Sequence, residues 1–185
     1  MPSADVVVVG CGLSGLTAGL ALARAGATVQ VVGRGHTTTH WSGGPLDVGA
    51  PKGAVTMGAG IAALRARPGH PYAFLGEDVS EAVAWLTGHL AAQGLPYVGD
   101  LSGALADLPT SMGRTRPVGL VPDAQSAALR PWSPGEALVV CAPQGFRDLW
   151  PDTAAAALRR PGIWRSGSRP ERIEPITVRL PGLED

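Results

Sequence analysis

Apolar residues at the start of the chain follow a pattern that predicts a strand, a helix and a second strand. Val6 to Val9 are consecutive β-branched residues, which is typical of a strand buried on both faces of a parallel sheet. Thr28 to Val32 form another β-branched strand, so this part of the chain predicts a complete βαβ unit with a right-handed crossover. The helical pattern between the strands ends at Gly26, and its apolar positions are Leu13, Leu16, Leu20 and Ala23.

Two further helices are predicted before the middle of the chain. Ala54 to Arg67 show a weak helical pattern. Residues 78–93 show a stronger one, in which Asp78 and Glu81 form a capping box ahead of apolar residues at helical spacing. From Gly94 to Pro134 the chain is rich in Gly, Pro, Ser and Arg, which predicts irregular structure or short antiparallel strands.

The last third of the chain predicts another strand, a helix and a final strand. Glu136 to Cys141 (EALVVC) form the apolar run of a buried strand. The stretch FRDLWPDTAAAALRR predicts a helix whose first turn is disturbed by Pro151, and IEPITVRL predicts a last strand weakened by Pro175. Two βα units separated by an inserted segment indicate an α/β fold.

Composition and charge narrow the functional classes. The chain has 185 residues, of which 45% are apolar and 16% charged, as expected for a globular protein with a core. The formal net charge is zero and no basic patch stands out, so we expect no nucleic-acid partner. No secretory signal is evident, and no apolar run reaches the roughly 18 residues of a membrane helix, so we expect a cytoplasmic protein without a span of its own.

The turn after the first strand, Gly10-Cys11-Gly12-Leu13-Ser14-Gly15, is the first candidate for chemistry. Gly10 permits a sharp exit from the strand, Gly12 lets the backbone approach a phosphate, and Gly15 lets the helix pack closely on the strand. The amides of Leu13 and Ser14 belong to the helix N-terminus, where an anion is favoured. This strand–turn–helix context predicts dinucleotide or flavin binding.

The acid that usually follows such a motif is missing. A carboxylate at the end of the second strand normally binds ribose hydroxyls, but this strand ends in Val32-Gly33-Arg34-Gly35. Three interpretations remain open from the residues alone. Arg34 holds the 2′-phosphate of NADP, the fold binds FAD without the ribose contact, or the site takes a smaller flavin or no ligand.

The loop after the second strand, HTTTHWSGGPLD, adds a second group of candidates. Ser42, Gly43 and Gly44 are expected to present backbone amides to phosphate or flavin-ring oxygens. His40 is a candidate hydrogen-bond partner for the same ligand. His36 and His40 are four residues apart, but the local pattern is not helical and no third ligand is evident, so we expect no metal site.

Several stretches in order resemble the family of the B subunit of bacterial anaerobic glycerol-3-phosphate dehydrogenase. Arg34 with Gly35, His40, Ser42, Gly44 and the Leu46-Asp47 pair belong to its more specific pattern, as does the triplet His70-Pro71-Tyr72. The matching stretches are DVVVVGCGLSGLTAGL, GRGHTTTHWSGGPLDV, GHPYAFLG, TSMGRTRPVGLVP and EALVVCAPQGFRDLWPDTAAAAL.

The resemblance implies a function for the whole assembly. Members of the family are subunits of a respiratory flavoenzyme that oxidises glycerol 3-phosphate to dihydroxyacetone phosphate. The enzyme passes the electrons to quinone, and from there to fumarate or nitrate. The B subunit is an FMN protein in this family, and FMN has no adenosine ribose that requires an acid at residue 33. The implied partners are an FAD subunit and an iron–sulfur subunit that anchors the complex at the inner face of the cytoplasmic membrane.

The resemblance also implies that this chain is the N-terminal part of a longer protein. Family members continue into a late glycine-rich strand and turn that close over the cofactor. We therefore expect a Rossmann-type parallel sheet, of the FAD/NAD(P)-binding kind, that is incomplete at its C-terminus. The expected divisions are a flavin-binding βαβ unit with its flavin-side loop (1–50), an inserted segment (51–134) and a second βα unit (135–185).

The sequence leaves alternatives to this function. One is an FAD- or NADP-dependent oxidoreductase of another substrate class, and another is a structural component of a flavoenzyme complex that carries no cofactor. No catalytic acid or base can be named from the sequence.

Overall fold

The computed structural model describes residues 3–47, 49, 51, 53–75 and 79–181. The chain divides into two compact units, Met1–Pro45 and Leu46–Asp185. The fold is α/β with parallel strand pairs, as the sequence predicts. The proposed division into three segments stays a prediction.

The first unit is a βαβ unit followed by a loop. Strand β1 (Val6–Val9) leads into helix α1 (Leu13–Arg24), which returns the chain to strand β2 (Val29–Val32). The two strands pair in parallel, with Val6 opposite Val29 and Val9 opposite Val32. The predicted strand–helix–strand unit is therefore confirmed.

Helix α1 ends at the glycine that the sequence indicates. Gly26 has φ 94°, its amide donates to the carbonyl of Ala23, and the Ala27 amide donates to the carbonyl of Leu22. These two bonds form a Schellman motif, which satisfies carbonyls left without partners at the helix end. Glycine is needed here because the motif requires a left-handed backbone.

The burial predicted for β1 is wrong. Strand β1 is not buried on both faces, since Val7 and Val9 are 54% and 85% exposed. The reason is that α1 covers one face of this two-stranded sheet, against which Val6 and Val8 are half-buried. The helix also packs through small residues, with Gly19 buried, so its predicted apolar positions stay substantially exposed, among them Leu13, Leu16 and Leu20.

The second unit combines two antiparallel strand pairs with one parallel pair. Strand β3 pairs with β6 and β4 with β5, both antiparallel, while β7 and β8 run parallel with Ala137 opposite Arg172. Short 3-10 turns occupy Pro71–Phe74 and Asp123–Leu129. The elements are α2 (Met57–Arg65), α3 (Val79–Ala92), β3 (Tyr97–Gly99), β4 (Ala106–Pro109), β5 (Thr115–Val118), β6 (Leu120–Pro122), β7 (Ala137–Pro143), α4 (Pro151–Leu158) and β8 (Arg172–Val178).

The predicted helices of this unit form, with shifted boundaries. Helix α2 starts later than predicted because Thr56 caps it, accepting a hydrogen bond at Oγ1 from the Ala59 amide at 3.0 Å. Helix α3 occupies the predicted segment, but Asp78 lies outside the described residues, so the capping box stays a prediction. Of the two alternatives predicted for the segment after Gly94, irregular structure or short antiparallel strands, the structure shows antiparallel strands.

The helix predicted from Phe146 begins instead at Pro151. Proline suits the first helical position, where no amide donor is needed, and it disfavours helical backbone in the residue before it. Trp150 accordingly has extended backbone, with φ −106° and ψ 98°. Proline therefore starts this helix rather than disturbing it.

One hydrophobic core cluster of the second unit lies where α4 packs on the parallel pair β7–β8. Ala155, Leu158 and Ile173 are the buried residues of this cluster. The indole of Trp164 packs against them and its Nε1 donates to the carbonyl of Leu158 at 3.0 Å. Leu158 thus links the end of α4 to the hydrophobic interior.

We expect Leu158→Ala to destabilise the protein by about 2–5 kcal/mol, because it leaves a cavity in a close-packed core. The matched control is Leu95→Ala, since Leu95 is 60% exposed and should lose about 0.5 kcal/mol or less. Chemical denaturation of both variants measures the difference. Equal losses in the two variants would contradict this location of the core.

Hydrogen bonds to the Glu136 carboxylate hold the segment just before β7. Arg130 Nη1 donates to Glu136 Oε2 at 2.8 Å, and the Ser133 amide donates to the same oxygen at 2.7 Å. The hydrogen bond from Arg130, followed by that from Ser133, lowers the pKa of Glu136 from 4.5 to about 2. The charged carboxylate therefore contributes stability above pH 4.5, and this contribution is lost as pH falls through about 2.

We expect the stability difference between the parent protein and Glu136→Gln to shrink as pH falls from 4.5 towards 2. Denaturation midpoints of both proteins across that range measure it. Glu174→Gln is the control, because Glu174 lies 3.8 Å from Arg172 in an exposed pair and should give a flatter difference. A difference for Glu136→Gln that does not change with pH would refute the assigned pair.

Candidate functional site

The glycine turn joins β1 to α1 through a conformation that only glycine adopts readily. Gly10 has φ 115°, and its amide donates to the carbonyl of Val32 at 2.7 Å, which extends the β1–β2 pairing by one residue. A side chain at this position would be strained by the backbone alone. The turn therefore leaves the strand sharply, as the motif requires.

Gly15 allows the first turn of α1 to lie directly on the end of β1. A Cβ atom at this position would be 2.1 Å from the carbonyl oxygen of Gly10 and 3.5 Å from Cγ1 of Val8. The obstacle is main chain, which cannot rotate away as a side chain can. This close approach is the packing role that the motif predicts for Gly15.

The N-terminus of α1 has the features of an anion site. Gly12 is the N-cap residue, no side chain caps the helix, and its first turn carries no acidic residue. Helix geometry leaves the amides of Leu13, Ser14 and Gly15 without acceptors inside the helix. A Cβ atom at Gly12 would have no heavy atom of the described residues within 4 Å. Open amides and the positive end of the helix dipole together suit a phosphate group.

At the end of β2, where the acid is missing, Gly33 lies against the side chain of Cys11. A Cβ atom at Gly33 would lie 2.2 Å from the Sγ atom of Cys11. Cys11 is half-buried in the glycine turn itself. The absence of a carboxylate is visible in the sequence, but the role of Cys11 is not, because no local pattern links residues 11 and 33.

The remaining predicted residues of the first unit lie in the loop after β2. Arg34 is exposed and directly follows Gly33. His40 lies in a 3-10 turn (Thr38–Trp41), stacked on His36 with ring centroids 4.3 Å apart and edge-on to Trp41 at 5.0 Å. Across the part of the chain that the structure describes, no group of three or more His, Cys, Asp or Glu residues is placed to hold a metal ion.

The Ser42-Gly43-Gly44 segment is organised by a local turn. Ser42 Oγ accepts a hydrogen bond from the Gly44 amide at 3.2 Å, and Gly44 has φ 95°. The Gly44 amide is thus directed at Ser42, which differs from the expectation that it faces a ligand. The assignment of Ser42, Gly43 and Gly44 to cofactor binding stays a prediction.

Asp47, at the start of the second unit, takes part in an ion pair. Its Oδ2 lies 2.8 Å from Arg116 Nε on β5. Burial raises the pKa of Asp47, and the charge of Arg116 partly opposes that effect. The neighbouring Leu46 amide donates to the carbonyl of Leu120 at 3.0 Å. These contacts fix residues 46 and 47 to the antiparallel strands.

A cleft of about 1020 Å³ lies within the second unit, with Val55, Leu129, Trp132 and Arg165 among its lining residues. Its floor includes Asp107, which is 7% exposed and accepts hydrogen bonds from the amides of Arg165 and Ser166 at 2.6 and 2.7 Å. The cleft is large enough for a small organic molecule. The sequence carries no signal for it, because its lining comes from distant segments.

A parallel βαβ unit whose glycine turn opens at a helix N-terminus defines a nucleotide-binding protein of the Rossmann class. The sequence matches the FAD binding domain family over residues 5–179, and the chain belongs to that family. The cofactor class is therefore a flavin.

Curated relatives confirm the resemblance found in the sequence. The chain is 33% identical over 168 residues to the B subunit of anaerobic glycerol-3-phosphate dehydrogenase from Yersinia enterocolitica, covering 86% of the chain and 39% of the relative. It is 31% identical over 185 residues to the probable B subunit from Halobacterium salinarum, covering 96% of the chain and 40% of the relative. The chain thus spans about two fifths of these relatives. No solved structure matches it.

We expect Gly15→Ala to destabilise the protein by about 1–3 kcal/mol or more, because the added methyl group meets the Gly10 carbonyl. Gly12→Ala is the matched control for stability, since its methyl group enters open space and should cost about 1 kcal/mol or less. Denaturation midpoints measure both.

Flavin binding should rank the two variants the other way, with Gly12→Ala weakening it more than Gly15→Ala. The methyl group of Gly12→Ala lies where a phosphate approaches the helix amides, so a folded Gly12→Ala protein should bind flavin at least about tenfold more weakly. Fluorescence titration with flavin measures this. Unchanged affinity in Gly12→Ala would place the phosphate elsewhere.

Proposed function

We propose that the chain binds the phosphate of a flavin nucleotide at the N-terminus of α1. The observation that carries the proposal is the open, uncapped helix start at Gly12, held against β1 by Gly15. The phosphate accepts hydrogen bonds from the amides of Leu13, Ser14 and Gly15. Arg34, His40 and the Ser42–Gly44 segment line the flavin side.

The flavin that we propose is FMN. The site has no carboxylate at residue 33 to bind the adenosine ribose of FAD, and Cys11 lies where that side chain would begin. FAD is the second candidate, because the chain belongs to the FAD binding domain family.

The reaction that we propose is the oxidation of glycerol 3-phosphate to dihydroxyacetone phosphate with a quinone as electron acceptor. It is supported by relatives named as subunits of anaerobic glycerol-3-phosphate dehydrogenase. The flavin supplies the redox chemistry when bound, and the protein contributes position and electrostatics. In this proposal the chain transfers electrons, and none of its residues is assigned as an acid or base.

We also propose that the protein works beside an FAD subunit and an iron–sulfur subunit. The names of the relatives designate them as the B subunit, which is one component of a larger enzyme. Within the described residues, no helix is long and apolar enough to cross a membrane. In this arrangement the iron–sulfur partner supplies the contact with the inner face of the cytoplasmic membrane.

Arg34 supports an alternative ligand. Arg34 directly follows residue 33, the position of the missing acid. In this alternative its guanidinium group pairs with the 2′-phosphate of NADP. The alternative function is an NADP-dependent oxidoreductase of another substrate class.

The test is to co-express the protein with its neighbouring subunits, purify it, record its visible spectrum and identify any released flavin. We expect a flavin spectrum and FMN on release. Released FAD supports the second candidate, and NADP binding without flavin supports the role of Arg34. A colourless protein that still co-purifies with a flavoprotein would overturn the cofactor proposal and leave a structural role.

A further inference from the structure

Cys11 and Gly33 form a steric pair at the mouth of the glycine turn. The hydrogen bond from the Gly10 amide to the Val32 carbonyl, 2.7 Å long, carries the strand pairing past β1 and brings residue 11 beside residue 33. A Cβ atom at Gly33 would lie 2.2 Å from Sγ and 3.1 Å from Cβ of Cys11. A side chain at residue 33 would therefore force the Cys11 thiol to move and would still meet the Cys11 Cβ atom closely.

The backbone of Gly33 places no such limit on the residue. Gly33 does not have a positive φ, so other amino acids can adopt its backbone conformation. Without the Cys11 side chain, the nearest described atom to that Cβ would be the Cys11 backbone nitrogen at 3.5 Å, an ordinary contact. The atoms that would meet a Cβ at residue 33 thus belong mainly to one side chain. At Gly15 the nearest atoms belong to the main chain of Gly10.

We propose that Cys11 determines which flavin nucleotide the site accepts. By favouring glycine at residue 33, Cys11 disfavours the carboxylate that binds the ribose hydroxyls of a dinucleotide. FMN needs no such group, so its affinity is unaffected, while FAD loses a charged hydrogen bond. This inference rests on the proposed function and names the residue that sets its cofactor preference.

The steric part is tested on the full chain by a double-mutant cycle of Cys11→Gly and Gly33→Glu. Gly33→Glu alone should lower the midpoint of thermal unfolding by roughly 3–10 °C, as expected for overpacking. The double variant should recover most of that loss, which gives a clear coupling between the two sites. Cys11→Ala is the control, because it keeps the Cβ atom at 3.1 Å and should rescue less than Cys11→Gly.

The selectivity part is tested by titrating the same variants with FMN and FAD. The parent protein should prefer FMN, and the double variant should shift the ratio of the two dissociation constants towards FAD by at least about tenfold. Gly33→Gln in the Cys11→Gly background is the matched control. It fills the same space without the charge and should give a smaller shift.

Each outcome decides part of the inference. Additive thermal effects would overturn the steric pair, and an unchanged FMN to FAD ratio in a coupled double variant would overturn its role in selectivity. Failure of every variant, the parent included, to bind either flavin would overturn the proposed function and the selectivity with it. The thermal cycle would still decide the steric pair in that case, so the two failures are distinguishable.

Discussion

The close approach of α1 to the end of β1 is the contact on which the candidate site depends. A Cβ atom at Gly15 would stand 2.1 Å from the Gly10 carbonyl oxygen, so the helix can reach this position only without a side chain there. Gly19 continues the same approach one turn later, where a Cβ atom would lie 3.1 Å from Cγ2 of Val31. This packing directs the first amides of α1 to the carboxyl end of the strands, where nucleotides bind in such folds.

Three glycines around the turn are required for three different reasons. Gly10 needs a positive φ, Gly15 faces a main-chain carbonyl and Gly33 faces the side chain of Cys11. The first two requirements belong to the geometry of the turn and no single substitution elsewhere removes them. The third depends on one residue and can change with it. The shape of the candidate phosphate site thus depends on the fold, whereas residue 33 is open to variation.

The sequence predicts the elements of this protein better than their burial. The valine run of β1 predicts cover on both sides, but β-branched residues indicate strand preference and not the number of covering layers. In α1 the leucines indicate the packing face, whereas Gly19 is the buried residue. Close helix–strand contact selects small residues, which a pattern of apolar side chains does not reveal.

The parts of the site that the sequence could not predict are those made by distant residues. The Asp47–Arg116 ion pair and the contact of Cys11 with Gly33 join segments that only the folded chain brings together. The glycine turn was predictable because its residues are consecutive and each has a separate physical role. Sequence reasoning therefore identified a candidate phosphate site but could not reveal the contact between Cys11 and Gly33.

The charge around the N-terminus of α1 supports the proposal that this turn binds a phosphate even without the ribose acid. Arg24 lies in the last turn, where a cation interacts favourably with the negative end of the helix dipole. The first turn has no acidic residue to offset the positive end, and Gly33 adds no carboxylate beside it. A carboxylate there would help a neutral ribose but repel a nearby phosphate. Its absence supports the proposal of FMN, whose phosphate is terminal, whereas the phosphates of FAD link the flavin to adenosine.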